Sequence, residues 1–127
     1  MRELTGHKVN GCNDRLHIHA VDKPGPGGAN HVYSIGGFIR RNAAGTDDET
    51  CTTITFQNGP IAEVGTNGVT HEALIAIVID RLESFQAGPF KCEENATALS
   101  CLQMAQAALK SRTEKRLARG VEGTHQI

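Results

Sequence analysis

The sequence predicts an α+β fold, in which a small antiparallel β-sheet is followed by an antiparallel two-helix hairpin. In the first half of the 127-residue chain, segments that alternate apolar and polar residues are separated by turn-forming runs, a pattern typical of strands. In the second half, apolar residues recur at helical spacing. The change of period divides a single domain into a β-rich part, 1–66, and a helical part, 67–127.

The predicted strands are rich in β-branched residues and are bounded by glycine and proline; they cover 15–21, 31–40 and 52–57. Gly36 and Gly37 predict a bulge or bend within the second strand. A turn at 58–60 would return the chain into a short fourth strand at 61–64, whereas the acidic run 47–49 predicts a solvated loop.

The first helix of the helical part is expected to begin after Thr70, a residue type that caps helix N-termini. A Gly-Pro pair at 88–89 ends the first helix, and the second is expected over 91–119, with Gly120 as its stop. The apolar face predicted for the first helix consists of five residues at helical spacing: Leu74, Ile77, Val78, Leu82 and Phe85.

The second helix carries a stripe with an apolar centre and polar ends. Asn95, Leu102, Leu109 and Arg116 follow one another at intervals of seven residues, so they share one face. An apolar centre of this kind favours packing against another helix, from the hairpin or from a second subunit. Because the chain has no Trp and few other aromatics, its core is thin, which also favours a homo-oligomer.

Composition excludes several classes of function. A net charge of -1 argues against non-specific binding of DNA or RNA, which requires a basic excess. The longest apolar run is too short to span a membrane, and the N-terminus lacks the pattern of a signal peptide, so we expect a cytosolic protein. The four cysteines show no metal-ligand spacing, which predicts reduced thiols in a core or an interface.

Three sets of residues are candidates for binding chemistry, each with a structural alternative. Arg112 and Arg116 are four residues apart and could grip phosphate, or they could simply stabilise a helix C-terminus. Phe85 could stack on a purine, or it could be a core aromatic. Asn95 could read a base edge, or it could stabilise the start of its helix.

The histidines are weaker candidates. His17 and His19 share a strand face and could bind a metal with His31 or Cys12, but two histidines do not complete a site, so we predict no metal and no cofactor. The glycine-rich run 24–28 lacks the Lys-Ser/Thr ending of a phosphate-binding loop and predicts a turn. No nucleophile and base can be placed together, which weighs against hydrolysis.

Long motifs in this sequence resemble those of two families of phage counter-defence proteins. FQNGPI, NGVTHEALIAIVIDRL, FQAGPF, EENATAL and ARGVEGTH are similar to the helical-hairpin domain shared by anti-Thoeris and anti-CBASS sponges. The N-terminal segment LHIHAVDKPGPGGANHVYSI resembles the β-rich part of the anti-Thoeris branch.

The resemblance implies a binding protein that acts in the host bacterial cytoplasm. Such sponges capture cyclic ADP-ribose isomers, and in some members cyclic di- or trinucleotides, without cleaving them. They assemble from dimers into hexamers, with the ligand between subunits. By this resemblance the contacting residues are Phe85, Asn95, Arg112, Arg116, Gly59, Pro60, Arg119 and Thr124.

Two functions from other classes remain open at this point. A phosphodiesterase that degrades the same signals would need a base or a metal, for which the histidines and the acidic run are the candidates. A structural oligomer without a nucleotide ligand would use Phe85 and the arginines as interface residues.

Overall fold

A computed structural model describes all 127 residues, which form two compact units, Met1–Gly59 and Pro60–Ile127. The first unit contains a four-stranded sheet in which every neighbouring pair is antiparallel and the spatial order follows the chain. The strands are β1 (Arg2–Leu4), β2 (His17–Ala20), β3 (Val32–Arg41) and β4 (Asp47–Thr55), and a short helix α1 (Gly11–Arg15) lies between the first two. The sheet and the hairpin that follows it confirm the predicted fold class.

The predicted irregularity in the second strand is confirmed as a bulge between Gly36 and Phe38, where the register of β3 on β4 shifts. Gly37 has a φ of 91°, and a Cβ atom built on it would lie 1.8 Å from the carbonyl oxygen of Arg15. No residue with a side chain fits there without movement of the backbone, so the glycine is required by close approach as well as by its conformation.

Two predictions about the first 64 residues are wrong, and one strand has no counterpart among the predicted elements. Strand β1 was not predicted, because its three residues are too short a run to show alternation. The acidic run 47–49 lies in β4, opposite 39–41, where Arg41 and Asp47 form an ion pair at 3.3 Å. Residues 61–64 form a helical turn, α2 (Ile61–Val64), because Pro60 serves as its N-cap and the Pro60 carbonyl accepts from Val64.

Asp22 closes the loop between β2 and β3. Its carboxylate accepts hydrogen bonds from the backbone N–H groups of His31 and Val32, at 2.9 and 3.2 Å. Desolvation by itself raises the pKa of the Asp22 carboxyl, but these hydrogen bonds and one from Asn30 outweigh it, and the net pKa is lowered. The loop is therefore anchored by a charged group.

The second unit is built on the predicted hairpin of α3 (His71–Gln86) and α4 (Glu93–Ala118). Thr70 caps α3, as predicted, by accepting from the backbone of Ala73. Cys92 caps α4 through its sulfur, with acidic residues in the first turn and basic residues in the last, which matches the helix dipole. The amide of Gln106 donates to the carbonyl of Glu72 at 3.5 Å, which joins the two helices.

The stripe on α4 is confirmed, but the predicted face of α3 is partly wrong. Residues of α4 at alternating three- and four-residue spacing are half-buried: Asn95, Leu99, Leu102, Gln106, Leu109, Thr113 and Arg116. On α3 the covered face runs through Ile75, Ile79 and Leu82, while Ile77 is 59% exposed and Phe85 is 40% exposed. The apolar residues of α3 surround more than half of the helix, so spacing alone did not identify the covered side.

The chain by itself buries very little. Its buried hydrophobic residues are Ala20, Ile79 and Val121, and α4 contains no buried residue. All four cysteines are free and exposed, so of the two predicted locations the core of this chain is wrong, and the interface stays a prediction. Large hydrophobic side chains are exposed on both helices, with Met104 at 71%.

Candidate functional site

A cavity of about 350 Å³ lies where α3 ends and α4 begins. Its walls come from the last two turns of α3, the connection between the helices and the first turn of α4. We call this space the Phe85 cavity. It is lined by Val78, Arg81, Leu82, Phe85, Phe90 and Asn95. The cavity thus combines four apolar side chains with one cation and one amide, which suits a flat apolar group with polar edges.

Phe85 and Arg81 form one unit of this cavity. They are four residues apart on α3, and the guanidinium carbon of Arg81 lies 5.6 Å from the centroid of the Phe85 ring. The Phe85 ring is exposed, which contradicts its alternative interpretation as a core aromatic. An aromatic platform is therefore open to a partner outside this chain.

Asn95 is held at the cavity by the local structure that starts α4. The backbone N–H of Asn95 donates to the Cys92 sulfur at 3.4 Å, and the N–H of Cys92 donates to the Gln86 side chain at 3.0 Å. The end of α3 and the start of α4 are thereby connected by hydrogen bonds. This arrangement brings Phe85 and Asn95, two of the residues predicted from sequence, to the same cavity.

Arg116 lies at the other end of α4, where it organises the residues that follow the helix. Its side chain is 11% exposed and pairs with Glu122 at 3.0 Å. It also donates to the carbonyls of Val121, Thr124 and Gln126, at 2.9, 3.3 and 2.6 Å. These bonds use most of the N–H donors of the guanidinium group.

The segment 121–127, called here the C-terminal segment, folds back along the second unit. Val121 is buried, and the hydroxyl of Thr124 donates to the Val121 carbonyl. The carbonyl of Gly123 accepts from the N–H of Ala62 at 3.0 Å, in the helical turn that Pro60 caps. The structure therefore brings together Pro60, Arg116 and Thr124, which come from separate motifs of the sequence.

The remaining predicted residues are placed as follows. Arg112 is exposed and makes no ion pair within the chain. Arg119 is exposed and donates to the carbonyl of Ile127 at 2.9 Å. Gly59 has a φ of 95°, and its carbonyl accepts from the Gln57 side chain at 3.2 Å.

The predicted site residues of the helical unit thus form two groups at opposite ends of α4. Asn95 and Arg112 are separated by 17 residues of the helix. At about 1.5 Å per residue, this places their α-carbons about 26 Å apart along the axis. The aromatic-and-amide group and the arginine group of one chain do not meet.

His17 and His19 are not part of either group. His19 lies 3.6 Å from Glu3 across the β1–β2 pair, and His17 borders a separate surface cavity with Arg15 and Cys51. No group of three or more His, Cys, Asp or Glu side chains is arranged to hold a metal ion.

Sequence reasoning missed Arg81 and Phe90 as cavity residues. The four-residue spacing of Arg81 and Phe85 is the spacing of a helical cation–π pair and could have indicated the first. Phe90 follows the helix-breaking Gly-Pro pair and is 74% exposed, so no periodicity marks it.

Comparison with known proteins identifies the family. Residues 48–114 match the Acb2/Tad1 hairpin domain, which is more than half of the chain. The chain belongs to the Acb2/Tad1 family. This confirms the resemblance drawn from the motifs of the helical part.

A sequence match to a phage protein indicates which branch of the Acb2/Tad1 family the chain is similar to. The chain is 53% identical over 74 residues to Thoeris anti-defense 1 of Bacillus phage SBSphiJ7. The match covers 58% of this chain and 52% of the relative, so this chain spans about half the length of that protein. The identity supports membership of the anti-Thoeris defence-evasion branch. None of the helices has the length and apolar character required to cross a bilayer.

Proposed function

We propose that this protein is a phage immune-evasion protein that binds cyclic nucleotide signals and sequesters them without cleaving them. The ligands are cyclic ADP-ribose isomers of Thoeris defence, and the proposal extends to cyclic di- and trinucleotides of CBASS defence. Sequestration in the host cytoplasm would prevent the signals from activating their effectors. The family membership and the Phe85 cavity support this proposal.

The observation that carries the proposal is the shared placement of Phe85 and Asn95 on one open cavity. A purine stacked on an aromatic ring gains about 1–3 kcal/mol, and an amide beside the ring can bond the polar edge of the base. The exposure of the Phe85 ring supports this role, because a ring that packed only within the chain would be covered.

We further propose that each binding site is completed by a second copy of the chain. A cyclic ADP-ribose isomer is too short to reach from the Phe85 cavity to Arg112 of the same α4 helix. Antiparallel pairing of two hairpins would bring Arg112 and Arg116 of the partner subunit to the cavity of the first. The exposed apolar side chains of both helices, among them Ile77, Met104 and Leu117, and the few buried residues of the single chain support such a homo-oligomer.

In this site Phe85 would hold the base, Asn95 would bond its edge, and Arg112 of the partner subunit would neutralise the pyrophosphate. Arg116, with Arg119 and Thr124, would shape the wall that carries Arg112. Gly59 and Pro60 would contribute to the same wall through the turn that precedes α2. Retention of the ligand then depends on slow dissociation rather than on chemistry.

The test is to measure binding of a glycocyclic isomer of cyclic ADP-ribose by calorimetry and then to denature the complex with heat and identify the released nucleotide. Tight binding with release of the intact nucleotide is expected. Phe85→Ala, Asn95→Ala and Arg112→Ala should each weaken binding, whereas the control variants Ile39→Ala and Arg40→Ala, on an exposed part of β3, should not.

Two results would reject the proposal in different ways. A chemically altered nucleotide after release would make the protein an enzyme, such as a phosphodiesterase. No heat of binding with any cyclic ADP-ribose isomer, cyclic dinucleotide or cyclic trinucleotide would leave a structural oligomer.

A further inference from the structure

Arg81 is a cation of the Phe85 cavity for which the chain supplies no counter-charge. Its neighbours at three and four residues on α3 are Ile77, Val78, Ser84 and Phe85, so no carboxylate faces it along the helix. The guanidinium group lies against the Phe85 ring and forms no ion pair. Its hydrogen-bond donors therefore remain available to a ligand in the cavity.

The arginines at the other end of α4 are not equally available. Arg116 is paired with Glu122 at 3.0 Å and is largely buried, so its charge is already balanced. Arg112 is exposed and without an ion pair. A site shared by two subunits would thus receive, from the C-terminal end of α4, one arginine that has no ion pair. The pyrophosphate of an ADP-ribose carries two negative charges.

We propose that Arg81 binds the pyrophosphate from the same subunit that supplies the Phe85 ring, and that it acts as the second cation of the site together with Arg112 of the partner subunit. This inference rests on the proposed function. A guanidinium group against an aromatic ring is held in a narrow range of orientations, which lowers the entropy lost when it bonds phosphate. One subunit would then contact both the base and the phosphates of the ligand.

The alternative role for Arg81 is structural, in which its side chain only keeps the Phe85 ring in place. The two roles differ in their response to salt. A phosphate contact is electrostatic and weakens as ionic strength rises, whereas packing of the aliphatic side chain on a ring does not. Arg81→Met keeps an unbranched side chain beside Phe85 and removes the charge.

The experiment measures the Kd of the glycocyclic ADP-ribose isomer at low and at high salt for the wild type, Arg81→Met and Arg81→Lys. We expect Arg81→Met to bind about 10- to 100-fold more weakly at low salt and to show a smaller salt dependence than the wild type. Arg81→Lys should retain much of the affinity and the wild-type salt dependence. Arg40→Met is the control, because it removes one exposed positive charge that does not line the cavity.

Wild-type affinity in Arg81→Met would overturn the inference and leave the proposed function intact. Weaker binding with an unchanged salt dependence would also overturn it, because that result assigns Arg81 the structural role. A wild-type protein that binds none of the isomer would overturn the proposed function itself. Circular dichroism of each variant excludes a general loss of folding as the cause of weaker binding.

Discussion

Arg116 and Glu122 form an ion pair of 3.0 Å between the last turn of α4 and the segment that follows it. The arginine side chain is 11% exposed and also donates to three backbone carbonyls of the C-terminal segment. A surface salt bridge contributes little to stability, but this one is shielded and forms part of a network. Arg116 therefore connects four residues of the C-terminal segment to the last turn of α4.

Removal of Arg116 should release the C-terminal segment. In Arg116→Ala, the Glu122 carboxylate and the carbonyls of Val121, Thr124 and Gln126 each lose the hydrogen bond from this side chain. We expect this loss to lower the free energy of unfolding by about 1–3 kcal/mol. Amide hydrogen exchange should be faster in 121–127 than in the wild type. Arg119→Ala, which removes a single hydrogen bond to the Ile127 carbonyl, is the matched control and should change little. Equal stability of the two variants would show that the network does not anchor the segment.

Mixed subunits should restore binding that neither variant has alone. Phe85→Ala lacks the stacking ring and Arg112→Ala lacks the phosphate contact, so each homo-oligomer should bind poorly. If each site takes these residues from different subunits, an unfolded and refolded equal mixture should recover about one quarter of the wild-type sites. The measurement is the calorimetric stoichiometry. A mixture of wild type with the Phe85→Ala/Arg112→Ala double variant calibrates the fraction of sites that bind. If the mixture of single variants recovers no binding, the two residues act within one chain or do not act at all.

We expect Gly37 to tolerate no side chain, because a Cβ atom there would clash with a neighbouring backbone atom. The cost of this clash can be measured separately from the cost of the positive φ. Gly37→Ala places a Cβ atom 1.8 Å from the Arg15 carbonyl oxygen, whereas Gly45 has a similar φ of 83° with nothing within 4 Å of such an atom. Gly45→Ala should cost about 1–2 kcal/mol from its positive φ. Gly37→Ala should cost clearly more in a urea titration. Similar losses in both variants would show that the backbone at Gly37 moves away without cost.

The loop held by Asp22 should weaken in acid. Hydrogen bonding lowers the pKa of the Asp22 carboxyl in the folded chain, so its contribution to stability is complete above the ordinary aspartate pKa of about 3.9. The contribution is lost as the pH falls through the lower pKa that this carboxyl has in the folded chain, because the carboxyl is then protonated in both the folded and the unfolded state. Asp22→Asn should therefore reduce the midpoint of thermal unfolding at pH 7 and make much less difference near pH 2. A constant difference at both pH values would contradict this role.

The sequence predicted the helical unit more accurately than the sheet. Residues at helical spacing over 26 positions identified α4 and its half-buried stripe, since a long periodic segment contains many independent observations. Strand β1 has three residues and is defined by its pairing with β2, which a local pattern does not contain. The acidic start of β4 has the local composition of a loop, because the cross-strand arginines that offset its charge come from another segment.

The candidate site could be predicted only in part, for a similar reason. Phe85 and Asn95 were identified as separate residues, and it is the connection between α3 and α4 that brings them to one cavity. The pairing of Arg116 with Glu122 depends on the fold of 121–127, which has no periodic signal. Arg81 was overlooked because a single basic residue on a helix is common and carries no motif.

The seven-residue spacing along α4 makes the length of this helix as important as its composition. Asn95 and Arg116 lie three heptads apart and share one face of the helix. The deletion of one residue between them would turn everything beyond it by about 100°, and the stripe would be broken. The deletion of a whole heptad would keep Asn95 and Arg116 on the same face of the helix and would shorten the distance between them. Among relatives, changes on the exposed face of α4 should therefore be frequent, whereas changes in its length should be rare and should come in multiples of seven.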